Sequence, residues 1–178
     1  MKHFAQVWQT FYPAAPPVGF LMRQSASENW VRFHALPGSK RYADSEHERE
    51  IILSRAKALA RRILSDETRF WICEASPSSA ESSSNCGLPF AFSFHEEDED
   101  IIWNFYAGFV EWDASFFDNT IRSIAEDEGP RVLWMSAESG SVFAPYDGGF
   151  DLFLSSSDEA KSLKTEHSDW LSGRSDGL

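Results

Sequence analysis

The sequence predicts an α+β domain, a mixed, mostly antiparallel sheet of about five to seven strands packed by about four helices. Helically spaced segments alternate with groups of short aromatic or β-branched runs, and the links between neighbouring runs are too short for crossover helices. The chain also has enough apolar material for one core. It has 178 residues, 42% hydrophobic and 15% aromatic. No repeat or linker divides it, so residues 1–178 read as a single domain.

Residues 3–12 set Phe4, Val7, Trp8 and Phe11 on one helical stripe, which Pro13, Pro16 and Pro17 end. NWVRFHAL (29–36) alternates Trp30, Arg32 and His34 with Val31, Phe33 and Ala35, a strand with one apolar face, and Pro37-Gly38 turns the chain. Residues 43–64 form the clearest helix. Asp44 or Ser45 can cap it, acids fill its first turn, Arg61 and Arg62 fill its last, and Ile51, Ile52, Ala56, Leu59 and Ile63 line its apolar face. RFWICEA (69–75) reads as a buried strand, and the Ser-rich stretch 76–87 as a flexible surface loop. Residues 89–95 and 101–112 flank the acidic run 96–100 and predict a hairpin with a solvated, negative tip. Residues 113–129 give a helix capped by Asp113 and stopped by Gly129-Pro130. Strands over 131–137, 141–146 and 150–155 and a helix over roughly 156–171 complete the chain. The rings of Trp71, Phe90, Phe92, Trp103, Phe105, Trp112 and Trp134 are assigned to the core.

Charge and cysteine content exclude several function classes. A formal net charge of −12 repels polyanions, which disfavours nucleic acid and anionic membranes as partners. No run approaches the ~18 apolar residues needed to span a bilayer, and the N-terminal stretch lacks the uninterrupted apolar region of a signal peptide. Cys73 and Cys86 have neither C-x-x-C spacing nor a metal-site pattern. The expectation is a cytoplasmic protein with reduced thiols, no cofactor and no metal.

Two segments carry the chemistry. In RFHALPGSKRY (32–42), Arg32 and His34 share a strand face, and Ser39, Lys40 and Arg41 follow a turn that precedes a helix. Cations, a hydroxyl and turn N–H groups suit a phosphate or carboxylate. The plainer reading is a solvated strand face with cations paired to local acids. In FAPYDGGFDLFL (143–154), Asp147 and Asp151 bracket Gly148-Gly149. The pair reads as a hairpin turn using positive φ, flanked by Tyr146 and Phe150. The other reading is a carboxylate pair serving as acid and base or holding a divalent ion. There is no phosphate-binding G-x-x-x-x-G-K-[ST] loop and no G-x-S-x-G elbow, so no nucleophile is assigned.

These segments, with WLSGRSDGL (170–178), resemble a family of small, uncharacterised bacterial proteins with the pattern R-F-H-x-L-P-x-S-K-R-Y, then A-P-Y-D-G-G-x-D, then W-L-S-x-x-x-x-G-L. The resemblance spans essentially the whole chain, the Ser-rich insert excepted, and implies no activity. It implies that the two turns meet in space, cations facing carboxylates, with Trp170 packed beside them.

The leading functional expectation is a non-enzymatic binding protein of the accessory or toxin-neutralising kind, with a basic protein as partner. The alternative is an enzyme or sensor for a small phosphorylated or carboxylated ligand. Arg32, His34, Lys40 and Arg41 would hold the anion, with Ser39 and Tyr146 beside them and Asp147 or Asp151 as base or metal ligand.

Overall fold

Period-two alternation along the strands sorts the side chains into two cores, one on each face of a single sheet. The structure, a computed structural model, describes residues 3–25, 28–64, 68–78 and 83–172. The strands are β1 (Trp30–His34), β2 (Arg69–Pro77), β3 (Phe90–Glu96), β4 (Ile101–Glu111), β5 (Arg131–Met135), β6 (Val142–Tyr146) and β7 (Gly149–Phe153). They run in the order β1-β7-β6-β5-β2-β4-β3. Every pairing is antiparallel, so the sheet is α+β as expected but not mixed.

Helices α3 (Glu46–Leu64), α4 (Ala114–Ala125) and α5 (Ser157–Glu166) cover one face, where Phe33, Ile72, Trp134, Phe143 and Phe150 meet Ala56, Leu59, Phe117 and Leu163. Helices α1 (Phe4–Phe11) and α2 (Gly19–Ser25) cover part of the other face, over Trp71, Cys73, Leu133, Met135, Ala144 and Phe153. Helix α2 was missed in the sequence because it is only two turns long, though Leu21 and Met22 are buried. Local chemistry fixes the starts of the longer helices. Asp113 accepts from Phe116 N at 3.0 Å, Ser156 from Glu159 N at 3.3 Å, and Ser45 Oγ from Glu48 N at 3.3 Å. A side-chain cap of this kind contributes about 1 kcal/mol.

Several expectations change. The C-terminal helix ends at Glu166, and a 3-10 turn (Ser168–Trp170) follows. Phe90 is 60% exposed because it lies on the edge strand β3, and Trp112 is 39% exposed just beyond the end of β4. Within the Ser-rich stretch, residues 79–82 lie outside the described residues. Ser84–Cys86 wrap the buried Glu74 carboxylate, which accepts from Ser84 Oγ at 2.6 Å, Asn85 N at 3.0 Å, Asn85 Nδ2 at 2.9 Å and Cys86 N at 3.0 Å. Burial works to raise the Glu74 pKa, but these donors outweigh it and hold it below the ordinary glutamate value. Cys73 and Cys86 are free and belong to opposite faces of the sheet.

The hairpin at 146–149 is tighter than expected. Tyr146 pairs with Gly149, leaving Asp147-Gly148 as the loop, and neither Gly148 nor Gly149 has a positive φ. Gly149 is needed for close approach instead, because a Cβ there would collide with the Phe33 carbonyl oxygen of β1.

Candidate functional site

The register brings the two signature segments together. Strand β1 pairs with β7, so Arg32 lies opposite Asp151 and His34 opposite Gly149. Both side chains point to the α1/α2 face. Arg32 donates from Nε to Asp151 Oδ1 and from Nη2 to Oδ2, each at 2.9 Å, and Trp30 Nε1 adds a third bond to Oδ1 at 2.9 Å. The Arg32 guanidinium also lies 4.5 Å from the Tyr146 ring centroid and 5.7 Å from that of Trp30. A planar, forked cation gripped on three sides has little freedom left, and its Asp151 partner is only 3% exposed.

A cavity of about 490 Å³ opens beside this pair, within the range of small-molecule sites. Strand pairing explains why it exists. Between β5 and β6 the ladder runs only through Trp134–Phe143 and Met135–Val142, whereas β6 stays paired with β7 along its whole length. Pro145, which brings no N–H to a ladder, stands in β6 just past the last pair. The cavity occupies the gap that follows, between Val132 and Leu133 on one side and Ala144 and Pro145 on the other.

Four arginines line it, Arg23, Arg32, Arg41 and Arg131, against two carboxylates, Asp147 and Asp151. A surplus of positive charge therefore gathers at one place in a strongly acidic chain. Arg23 Nε lies 3.6 Å from Asp151 Oδ2, near enough for attraction but too far for a hydrogen bond, and it is buried without a hydrogen-bond partner. His34 Nε2 is buried and unpartnered as well. Burial, then the charges of Arg32 and Arg55, push the His34 pKa below its ordinary value, so the ring is neutral at pH 7. Burial raises the Tyr146 phenol to about 12, which keeps it protonated.

The remaining predicted residues divide. Ser39 lines the cavity from the 3-10 turn Pro37–Ser39, and Arg41 pairs with Asp147, which Tyr42 Oη also reaches at 3.1 Å. Lys40 does not line it. Its Nζ sits 2.8 Å from Asp44 and 2.6 Å from Glu48, the local ion pair of the plainer reading. Asp147 and Asp151 form no pair, because each is bound to its own arginine. Trp170 packs on the opposite face of β1, edge-on to Phe33 at 6.3 Å and under the Arg55 guanidinium at 4.9 Å. Of the WLSGRSDGL signature, residues 173–178 lie outside the described residues. Arg23 and Arg131 were missed by the sequence reading. The available signal was Pro145, a proline in an interior strand with β5 on one side and β7 on the other.

A family model described as a domain of unknown function (DUF3885) matches residues 18–175. The chain belongs to this family. The DUF3885 match takes in all seven strands and every cavity residue except Pro17, and leaves out α1. No curated protein and no solved structure matches the chain.

Proposed function

We propose that the protein binds a small anionic ligand, phosphorylated or carboxylated, in the cavity between α2 and the sheet. The observation that carries this is the pair of buried, unpartnered nitrogens, Arg23 Nε and His34 Nε2, inside a cavity where guanidinium groups outnumber carboxylates. A buried polar atom without a partner costs roughly 1–3 kcal/mol, and an acceptor oxygen on a ligand removes that cost at Arg23 Nε and, in the tautomer that protonates it, at His34 Nε2. The reading is of a binding or sensing protein rather than an enzyme. Both cavity carboxylates are engaged by arginine and the phenol is protonated, leaving neutral His34 as the one candidate base. We place the protein in a bacterial cytoplasm, where its two free thiols stay reduced.

A thermal-shift panel of inorganic phosphate, sulfate, acetate and sugar phosphates tests this, with Arg23→Leu beside the wild type. A ligand at 100 times its Kd stabilises by about 2.7 kcal/mol, a rise of several degrees for a domain of this size. The expected result is a rise that Arg23→Leu loses. No rise with any anion, or an equal rise in both proteins, would sink the proposal.

A second reading, docking of a basic protein, draws on a different surface. Glu97–Asp100 form an exposed acidic tip beside the edge strand β3, with Phe90 60% and Ile102 48% exposed. Neutralising the tip acids would weaken capture of that partner without changing anion binding.

A further inference from the structure

Resting on the anion-binding reading, we infer that the ligand has two heads. One anionic group would sit at Arg23, Arg32 and His34, and a second at Arg131, joined by a short apolar spacer. Counting along the register gives the geometry. On the α1/α2 face, His34 lies across from Gly149, and Gly149 from Tyr146. Carrying the β5–β6 register on from Trp134–Phe143 sets Arg131 across from Tyr146, and Arg131 itself pairs with Ala75 of β2. His34 and Arg131 therefore stand three strands apart, about 14 Å between backbones at the paired spacing and more where β5 and β6 have parted. The cavity runs this whole distance, touching residues from β1 to β2.

Its two ends differ from its middle. At the β1 end, Arg23 and His34 have nitrogens with no protein partner. At the far end Arg131 is exposed at the cavity mouth, its guanidinium 5.8 Å from the Trp103 ring centroid, and among the described residues no carboxylate pairs with it. Between the ends, Leu133, Ala144 and the Tyr146 ring form the floor, and Pro17, Val18 and Phe20 form the wall. A single phosphate would satisfy the first end and leave Arg131 and the apolar stretch without a role. An α,ω-dianion with a few carbons between its heads meets all three regions. Dicarboxylates and phosphorylated acids share this chemistry.

The test is isothermal titration of the full chain with acetate, inorganic phosphate and the dicarboxylate series from malonate to suberate. The monomethyl ester of the best diacid removes one charge without altering the protein. Binding should peak within the series, with the best diacid at least about tenfold tighter than acetate. Arg131→Leu should bring that diacid down to its monoester, a loss several times larger than any it causes for acetate. A diacid no tighter than its monoester, or Arg131→Leu weakening acetate and diacid alike, would overturn the two-headed ligand while leaving a one-headed anion site standing. If the mono- and dianions all fail to bind the wild type, the anion site falls with it. A bisphosphate run in parallel separates the sources, since a phosphorylated ligand would favour it over every diacid.

Discussion

Replacing Asp151 by Asn tests whether the cavity wall is held by charge. The carboxylate accepts three hydrogen bonds, two from Arg32 and one from Trp30, and lies 3.6 Å from Arg23. Asparagine keeps the shape and one acceptor oxygen but sets an NH2 group against Arg32 Nη2. It leaves two guanidinium groups near each other with no counter-charge between them. Breaking a buried pair by removing one partner costs about 3–5 kcal/mol. The Arg32 side chain is 11% exposed, so cavity water offsets part of this, and the expected loss is about 3 kcal/mol. For a domain of this length that is a fall of about 6–12 °C in Tm. Urea unfolding should show the same loss with an unchanged m-value. Phosphate or sulfate should then restore more stability to Asp151→Asn than to the wild type, because the anion replaces the missing charge. A loss below about 1 kcal/mol, or no extra rescue by anions, would refute the account of Asp151 as the counter-charge of the site.

Four further outcomes follow from the geometry. Gly149→Ala pushes a Cβ into the Phe33 carbonyl, so β1 must move off β7; the expected cost is about 3 kcal/mol, read by urea unfolding, with anion affinity reduced as well. Glu74→Gln turns an amide towards donors of Ser84, Asn85 and Cys86 and should cost about 1–3 kcal/mol. Because the Glu74 pKa is depressed in the folded state, its contribution is present above the ordinary glutamate pKa and is lost as pH falls through the folded value, so wild type and variant should converge in acid. Lys40→Ala should leave anion binding unchanged in titration and move Tm by less than about 2 °C, since its partners are Asp44 and Glu48 rather than the cavity. His34 has a lowered folded pKa, so the unfolded chain takes up the proton first and the wild type loses stability as pH drops below about 6.5; His34→Gln should flatten that dependence in denaturation at pH 7.5 and 5.

The fold was legible where side-chain period decides structure. Val31 and Phe33 against Arg32 and His34 gave the right strand, and the helix over residues 43–64 carried its caps, dipole charges and apolar stripe in plain order. Short elements were not legible. Two turns of α2 hold too few residues for a periodic signal, and Arg23 went unseen with them. The site was half legible. Arg32, His34, Tyr146 and Asp151 stand on strand faces whose direction follows from alternation, so naming them placed them. Lys40 and Arg41 are neighbours in sequence, yet one pairs at i+4 and i+8 and the other joins Asp147 across the hairpin, a difference set by tertiary packing alone. Arg131 owes its place to a sheet order that sets β5 beside β6 while β1 lies two strands further on, and no local pattern encodes that.

The cavity marks where this chain departs from what stability alone would favour. A sheet with helices on both faces is most stable with continuous ladders and apolar inner faces, and most of this sheet has both. At the junction of β5 and β6 the ladder breaks off, and towards β1 the same face turns polar. Pro145 stands where the ladder stops, and the opened face holds Arg23, Arg32 and His34, with two ring or guanidinium nitrogens buried and unpartnered. Apolar side chains of similar volume would avoid the desolvation of these charges and are often the more stable choice. Departures from local consistency gather at functional sites, and three meet in this cavity: a proline within the sheet, an interrupted ladder and buried nitrogens without a protein partner. A purely structural ion-pair network would account for Arg32 with Asp151, since that pair is complete in itself. It gives no reason for the buried nitrogens of Arg23 and His34 to face one cavity without a protein partner, and a ligand does.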